Sequence, residues 1–401
     1  MSGLPGIEDF LEESPASVFE PILRRSGATL GGPVAILLLD HLDLVDFYLT
    51  DVQPASPELS ERFPLRVEEG HLRRVLRDHE VAHAPAAEWQ VRPVEAPYLS
   101  AAPVRLRDTA LGALVLASEE APTREQLDDL RRLGIKAGVA LNVADQYTDM
   151  VEVRRRRATP SIAAELQSDQ LPPRSLYTPE VQVVGGIEPV YDVGGDWFDY
   201  ALDPDRLFVA VCDGVGRGLS AASISYVTLG AVRNARKRGH TLEEITELAH
   251  EALISSTTYE QFATLVLASI DLGTLRMDLI SAAHPAPIVV PPAGEGQPEV
   301  ICPELSYPPL GAFEKGKEYA SCRYELMPGS RLIFYSDGAT ERRGPGGKQL
   351  GVEGLLEYVE EARGVAEMEF LRFLMRRVQD FGDSEVEDDV TIVGVDLPPF
   401  G

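Results

Sequence analysis

Residues 207–222 read LFVAVCDGVGRGLSAA. Leu207 to Cys212 form an apolar, β-favouring run with the length of a buried strand. Asp213 stands where that run ends. Gly214, Gly216 and Gly218 follow, so the backbone can turn sharply there without Cβ clashes. From Leu219 to Arg238 the pattern becomes helical and begins with small residues. A carboxylate at the end of a buried strand, beside a glycine carbonyl, is a candidate oxygen-donor site for a hard divalent cation. Asp-Gly after a strand is more often a plain turn, so the reading depends on whether other carboxylates are placed in the same way.

Three more are. Asp196 follows Gly194-Gly195 and precedes the strand-like run Trp197 to Leu202; Leu332 to Tyr335 (LIFY) leads into Ser336-Asp337-Gly338; and Glu387-Asp388-Asp389 precedes the apolar run Val390 to Leu397. Asp196, Asp213, Asp337 and Asp388 therefore each flank a β-run, and two of them directly precede glycine. A sheet that aligned these ends would gather four negative charges. At about 4 Å and an effective dielectric of about 20, each pair repels by about 4 kcal/mol unless cations intervene. The chemistry that uses such a cluster is two-metal hydrolysis, in which one carboxylate bridges the ions and the others hold them singly.

Composition narrows the class. A chain of 401 residues is expected to hold two domains. Net charge is −27 and both halves are acidic, which argues against a nucleic-acid or anionic-membrane partner and against a metal-dependent nuclease. Cys212, Cys302 and Cys322 show no CxxC pair, which suggests inert thiols in a reducing compartment. The start, MSGLPGIEDFLEESP, lacks a signal-peptide pattern, and no apolar run approaches the roughly 20 residues of a membrane helix. The expected location is cytoplasmic.

Upstream of the acidic constellation, strands are predicted over Pro33–Leu39, Asp46–Thr50, Tyr98–Leu106 and Ala110–Ser118, with a helix over Glu69–Glu80. The stretches AAPVRLRDTALGALVLAS (101–118) and HLRRVLRDHEVAHAPA (71–86) resemble a GAF domain, an α+β sensor that binds a small ligand or dimerises. Thr123 to Arg157 reads as one long helix, with Leu130, Ala137, Leu141, Ala144 and Val151 approximating an a/d seam that Gly134 weakens. That seam predicts a homodimer, and the run Arg154–Arg157 reads as a solvated helix face. Prolines at Pro160, Pro172 and Pro173 mark the boundary. The expected organisation is a GAF-like domain over 1–122, a helical linker over 123–174 and a catalytic domain over 175–401.

The catalytic part resembles the SpoIIE/RsbU branch of the PPM (protein phosphatase 2C-like) serine/threonine phosphatases. The stretches VGGDWFDY, VCDGVGRGLSAA, ISAAHPAPIVV, YPPLGAF, LIFYSDGATERR and EDDVTIVGVDL occur in that family's order. The resemblance implies an α+β fold, an αββα sandwich with two Mn²⁺ or Mg²⁺ ions at one end. It implies that Asp213 bridges both ions and that Gly214 gives its carbonyl to one. Asp196 would support that side directly or through water, while Asp337 and Asp388 hold the other ion. Asp389 takes the place of an adjacent polar residue that shapes the site. The implied substrate is a phosphorylated STAS-domain anti-sigma-factor antagonist, under control of the sensor; a catalytically silent module of the same fold is the alternative. Val215 stands where many relatives have a histidine proposed as general acid. Ala282-Ala283-His284 replaces the commoner Ala-Gly-His, and His284 is expected to serve the turn.

Overall fold

The structure, a computed structural model, describes residues 4–41, 43, 46–188, 195–216, 218–256, 261–301, 306–312, 319–382 and 388–398. Of the residues quoted above, Met1, Ser2, Gly3, Val193, Gly194, Arg217, Cys302, Phe313 and Glu387 lie outside them. The chain divides into two compact units, Met1–Thr159 and Pro160–Gly401, so the stretch 123–174 is shared between them.

The N-terminal unit is one antiparallel sheet. Its strands are β1 (Val34–Leu39), β2 (Tyr48–Gln53), β3 (Leu65–Arg66), β4 (Ala82–Pro85), β5 (Tyr98–Leu106) and β6 (Thr109–Ser118), in the order β3-β2-β1-β6-β5-β4. Its helices are α1 (Glu8–Leu11), α2 (Phe19–Leu30), α3 (Pro57–Ser60), α4 (His71–Asp78), α5 (Arg124–Asp145) and α6 (Met150–Arg154). Strand β1 is buried on both faces, and its alternation divides the core. Val34, Ile36 and Leu38 pack with Ile22 of α2 and Leu130, Leu133 and Leu141 of α5. Ala35, Leu37 and Leu39 pack with Leu72, Val75 and Leu76 of α4.

The predicted single helix over Thr123–Arg157 is broken. Thr123 caps α5 with a full capping box to Gln126, and α5 stops at Asp145 before the short α6. The seam assigned to a dimer is buried against this chain's own sheet. Gly134, read as a weakness, is instead the point of closest approach, together with Gly138. A Cβ on either would stand 2.4 Å from the Pro103 carbonyl oxygen or 2.1 Å from that of Arg105. The arginine run is also not a solvated face. Arg154 pairs with Asp51 at 2.7 Å, Arg155 donates to the Leu39 carbonyl, and Arg157 reaches Asp43 at 2.9 Å. These residues tie the end of the unit to β1 and β2.

The C-terminal unit is a two-sheet sandwich with helices outside. Its elements run α7 (Ile162–Ser168), β7 (Ser175–Tyr177), β8 (Gln182–Glu188), β9 (Asp196–Asp203), β10 (Arg206–Gly214), α8 (Leu219–Lys237), α9 (Leu242–Ser256), β11 (Ala263–Asp271), β12 (Arg276–Ala282) and β13 (Ile288–Val290). They continue with β14 (Glu299–Val300), β15 (Ser306–Tyr307), β16 (Cys322–Glu325), β17 (Arg331–Tyr335), α10 (Gly338–Glu341), α11 (Gly351–Glu361), α12 (Glu367–Phe381) and β18 (Val390–Asp396). One sheet has the order β15-β12-β11-β10-β9 with β16 on β12; the other has the order β14-β13-β17-β18-β8-β7. Phe198, Val209, Val211, Val266 and Ile270 of the first meet Ile187, Leu332, Phe334, Val393 and Val395 of the second in a shared apolar core. Ile224, Leu229 and Val232 of α8 and Ile245, Ala249 and Leu253 of α9 cover the first sheet's outer face. Helix α12 packs on β8 and β18 outside the second. This is the αββα layering expected from the sequence.

Cys322 is disulfide-bonded, which corrects the expectation of three free thiols. Cys212 remains a free, buried cysteine. Among the described residues, no helix is long and apolar enough to cross a membrane.

Candidate metal centre

The apolar core between the two sheets stops at one end. Side chains two apart on a strand share a face, so the step beyond Phe198, Val211 and Val266 brings Asp196, Asp213 and Thr264 onto the inner face of the first sheet. In the facing sheet, the step beyond Phe334 and Val393 brings in Ser336 and Thr391. The strand patterns thus end in a polar layer.

Register fixes the first pair: Asp196 lies directly opposite Asp213 across β9 and β10. The second sheet delivers the others from loops at the same end. Asp337 follows β17 by two residues, and Asp388 and Asp389 immediately precede β18. The two sheets are joined by hydrogen bonds at this level. Thr391 Oγ1 donates to Asp196 Oδ2. Asp389 Oδ2 accepts from the backbone N–H groups of Gly195 at 3.0 Å and Asp196 at 3.2 Å, and from Gln167 Nε2 at 2.9 Å. Gln167 Nε2 also donates to the Asp196 carbonyl at 2.8 Å. Gly195 must be glycine, because a Cβ there would stand 2.7 Å from the Gly214 carbonyl oxygen. The Gly195 carbonyl accepts from Gly214 N–H at 3.0 Å and from Ser225 Oγ on α8.

The electrostatics follow from burial and like charge. Burial pushes the Asp213 carboxyl up to about 7, and Asp337 and Asp388 push it in the same direction, against a hydrogen bond from Asp196. Asp196, 1% exposed, is driven well above the carboxylate range by burial, then by Asp213 and Asp389. Asp389 is pushed up to about 6 by burial, against its hydrogen bonds from Gly195, Asp196 and Gln167. Asp337 is raised by burial, then by Asp388 and Glu341. All four predicted carboxylates and Asp389 therefore act on one another. For Asp196, Asp213, Asp337 and Asp389, none of the main influences is a lysine or arginine. Asp389 Oδ1 is buried without a hydrogen-bond partner. A cluster of carboxylates beside the Gly214 carbonyl at the end of β10 fits a hard divalent cation with its preference for oxygen donors.

Gln167 and Thr391 were not singled out in the sequence. Thr391 had a usable signal, since it lies two residues after Asp389 and so on the same strand face. Gln167 had none, because α7 reaches the site only through the fold. Gln167→Ala removes two buried donors from Asp196 and Asp389. It is expected to weaken Mn²⁺ binding about 10- to 100-fold, the usual effect of losing a group that orients a ligand, as read by calorimetric titration of the metal-free chain. His284 joins this layer through Thr264, whose Oγ1 is 2.7 Å from its Nδ1. Burial drives its pKa down to about 3, so the ring is neutral. Ala283 beside it has φ +55°, the left-handed region that glycine adopts more easily.

The SiaA-PP2C domain of Pseudomonas aeruginosa superposes with a TM-score of 0.50 at 18% identity, over 59% of this chain and 94% of that one. The C-terminal unit thus has the PP2C fold. Residues 203–398 match the family described as Stage II sporulation protein E (SpoIIE), a stretch that contains Asp213, Gly214, Asp337 and Asp388 and begins just after Asp196. This part of the chain is similar to that family. Two Bacillus subtilis (strain 168) proteins named phosphoserine phosphatases are similar to it. RsbP is 22% identical over 185 residues, 45% of this chain and 44% of RsbP. RsbU is 21% identical over 212 residues, 52% of this chain and 62% of RsbU. The chain thus spans about half the length of the curated relatives it matches.

Proposed function

We propose that this chain is a metal-dependent protein serine/threonine phosphatase. The observation that carries the reading is the convergence of Asp196, Asp213, Asp337 and Asp388 from two facing sheets, each of the three whose titration is resolved being raised by burial and by its neighbours. Asp213 and the Gly214 carbonyl would hold ions together with Asp196 on one side and Asp337 and Asp388 on the other. Two Mn²⁺ or Mg²⁺ ions bound there would supply Lewis-acid activation of water and of the phosphoryl oxygens. The chain's own part is to fix the carboxylates. Asp389 holds the Gly195–Asp196 backbone, Thr391 holds the Asp196 carboxylate, and Ser225 holds the Gly195 carbonyl. Val215 has no proton to give, so the side chain at that position would not protonate the leaving seryl oxygen.

The names of RsbP and RsbU support a phosphoserine protein as substrate. We take it to be a phosphorylated STAS-domain anti-sigma-factor antagonist in the cytoplasm. The single antiparallel sheet of the N-terminal unit, with helices on both faces, supports a GAF-type sensor that reaches to Thr159. A small molecule or protein bound there would set the activity of the C-terminal unit. The test is phosphate release by the full chain from a phosphoseryl STAS-domain protein and from free phosphoserine, with Mn²⁺ and with EDTA. The expected result is Mn²⁺-dependent release from the phosphoprotein, well above that from the free amino acid. Equal rates on both would overturn the protein-substrate reading.

A further inference from the structure

The second sheet has another end, opposite the carboxylates. Arg331 opens β17, Asp396 closes β18 and Gln182 opens β8, and the three lie side by side across the strands. Beside them is a cavity of about 340 Å³, within the range usual for small-molecule sites. Pro291, Pro292, Phe370 and Leu397 give it apolar walls, and Ser330 and Glu367 line it with polar groups. Among the described residues, the basic side chains lining it are Arg331 and Arg363, and both are committed. Arg331 Nη2 donates to Asp396 Oδ2 at 2.6 Å and to the Val365 carbonyl at 3.0 Å, and the guanidinium lies 4.1 Å from the centre of the Phe370 ring. Arg363 donates to the carbonyls of Pro291 at 2.8 Å and Gly296 at 2.9 Å and pairs with Glu360 at 2.7 Å. These contacts hold the wall together and match both guanidinium charges.

The acceptors are less well matched. Ser330 is 1% exposed, and its hydroxyl is buried with no hydrogen-bond partner. Its backbone is held elsewhere: the N–H donates to the Met327 carbonyl at 3.1 Å, and the carbonyl accepts from Leu397 N–H at 2.9 Å. A buried hydroxyl left in this way costs stability until a partner reaches it. Glu367, in the first turn of α12, accepts from the Gln182 side-chain amide. A carboxylate offers about four acceptor positions, so capacity remains. Burial raises the Glu367 carboxyl, and Asp396 pushes the same way, against a hydrogen bond from its own backbone N–H. With Arg331 matched by Asp396 and Arg363 by Glu360, Glu367 is the charge in excess.

We propose that this cavity is a binding site for a small organic cation, an amine or guanidinium carried on an apolar stem. The cationic head donates to the Glu367 carboxylate and to the Ser330 hydroxyl, and the stem lies against Pro291, Pro292 and Leu397. A neutral apolar molecule would leave Ser330 and Glu367 as they are. An anion would meet Glu367 and Asp396 with both arginines already engaged. The site shares no residue with the carboxylate cluster, so it stands or falls separately from the phosphatase reading.

The test is calorimetric titration of phenethylamine into the full chain at pH 7.5 and physiological salt, with phenylethanol and phenylpropionate as neutral and anionic counterparts. A probe of about nine non-hydrogen atoms is expected to saturate one site with a dissociation constant on the order of 1 mM. The neutral and anionic counterparts should bind at least about tenfold more weakly, since a hydrogen bond to a charged group is worth that much. Glu367→Gln should weaken the amine by about tenfold or more, and Ser330→Ala should weaken it in the same direction. Glu367→Asp, which keeps the charge, should recover part of the affinity, and thermal melting of each variant separates a lost contact from a lost fold. Equal binding of the three compounds, amine binding unchanged in both Glu367→Gln and Ser330→Ala, or no binding of the amine by the wild type would overturn the proposal.

Discussion

Asp213→Asn is expected to reduce hydrolysis of a phosphoseryl protein by about a thousandfold or more. Metal-ion charge stabilisation is worth several kcal/mol, and each 1.36 kcal/mol is about tenfold in rate. Asp213 is the carboxylate on which Asp337, Asp388 and Asp389 all press, which is the position of a ligand shared between two ions. The amide has the same shape, so the β9–β10 pairing from Asp196–Asp213 to Asp203–Arg206 should persist. The variant should stay folded by circular dichroism while losing turnover at saturating Mn²⁺. Retention of most activity would remove Asp213 from the site.

The second expectation is a stability change with opposite sign in the absence and presence of metal. Asp213 is raised to about 7 and Asp389 to about 6, against an ordinary value of 3.8. Between the ordinary value and these raised values, the folded chain holds protons that the unfolded chain has released. Stability from these groups is therefore fully present below about pH 4 and is lost as pH rises through 6 to 7. The metal-free wild type should lose melting temperature from pH 5 to pH 7.5 relative to metal-free Asp213→Asn, which carries no such charge. Mn²⁺ needs the ionised carboxylates, so its stabilisation of the wild type should be larger at pH 7.5 than at pH 5. Differential scanning fluorimetry at the two pH values, with EDTA or Mn²⁺, measures both. A wild type and Asp213→Asn that melt in parallel across this range would contradict the account.

Much of the C-terminal unit could be read from local pattern. The runs at Leu207–Cys212 and Leu332–Tyr335 are apolar enough to be buried on both faces, and both became central strands of the sandwich. The aspartates at their ends needed no tertiary information to be noticed. What local pattern cannot show is which ends meet. Asp388 and Asp389 are adjacent in sequence, yet one is exposed while the other is 1% exposed and holds the Gly195–Asp196 backbone from across the sandwich. Gln167 reaches the site only because α7 packs beside α8. The N-terminal unit misled in one respect. An a/d spacing on α5 records an apolar stripe but not its partner, and here the partner is β5 of the same chain, with Gly134 and Gly138 allowing the helix to lie close. Strands β3 and β4 are too short to carry a period, and β4 opens on Ala82 and sets His83 between alanines rather than β-branched residues.

The most direct measurement is the stoichiometry of Mn²⁺ binding to the metal-free full chain by isothermal titration calorimetry at pH 7.5, for the wild type and for Asp213→Asn. The account predicts two ions per chain for the wild type and loss of tight binding in the variant. No binding by the wild type, or unchanged stoichiometry and affinity in Asp213→Asn, would contradict it.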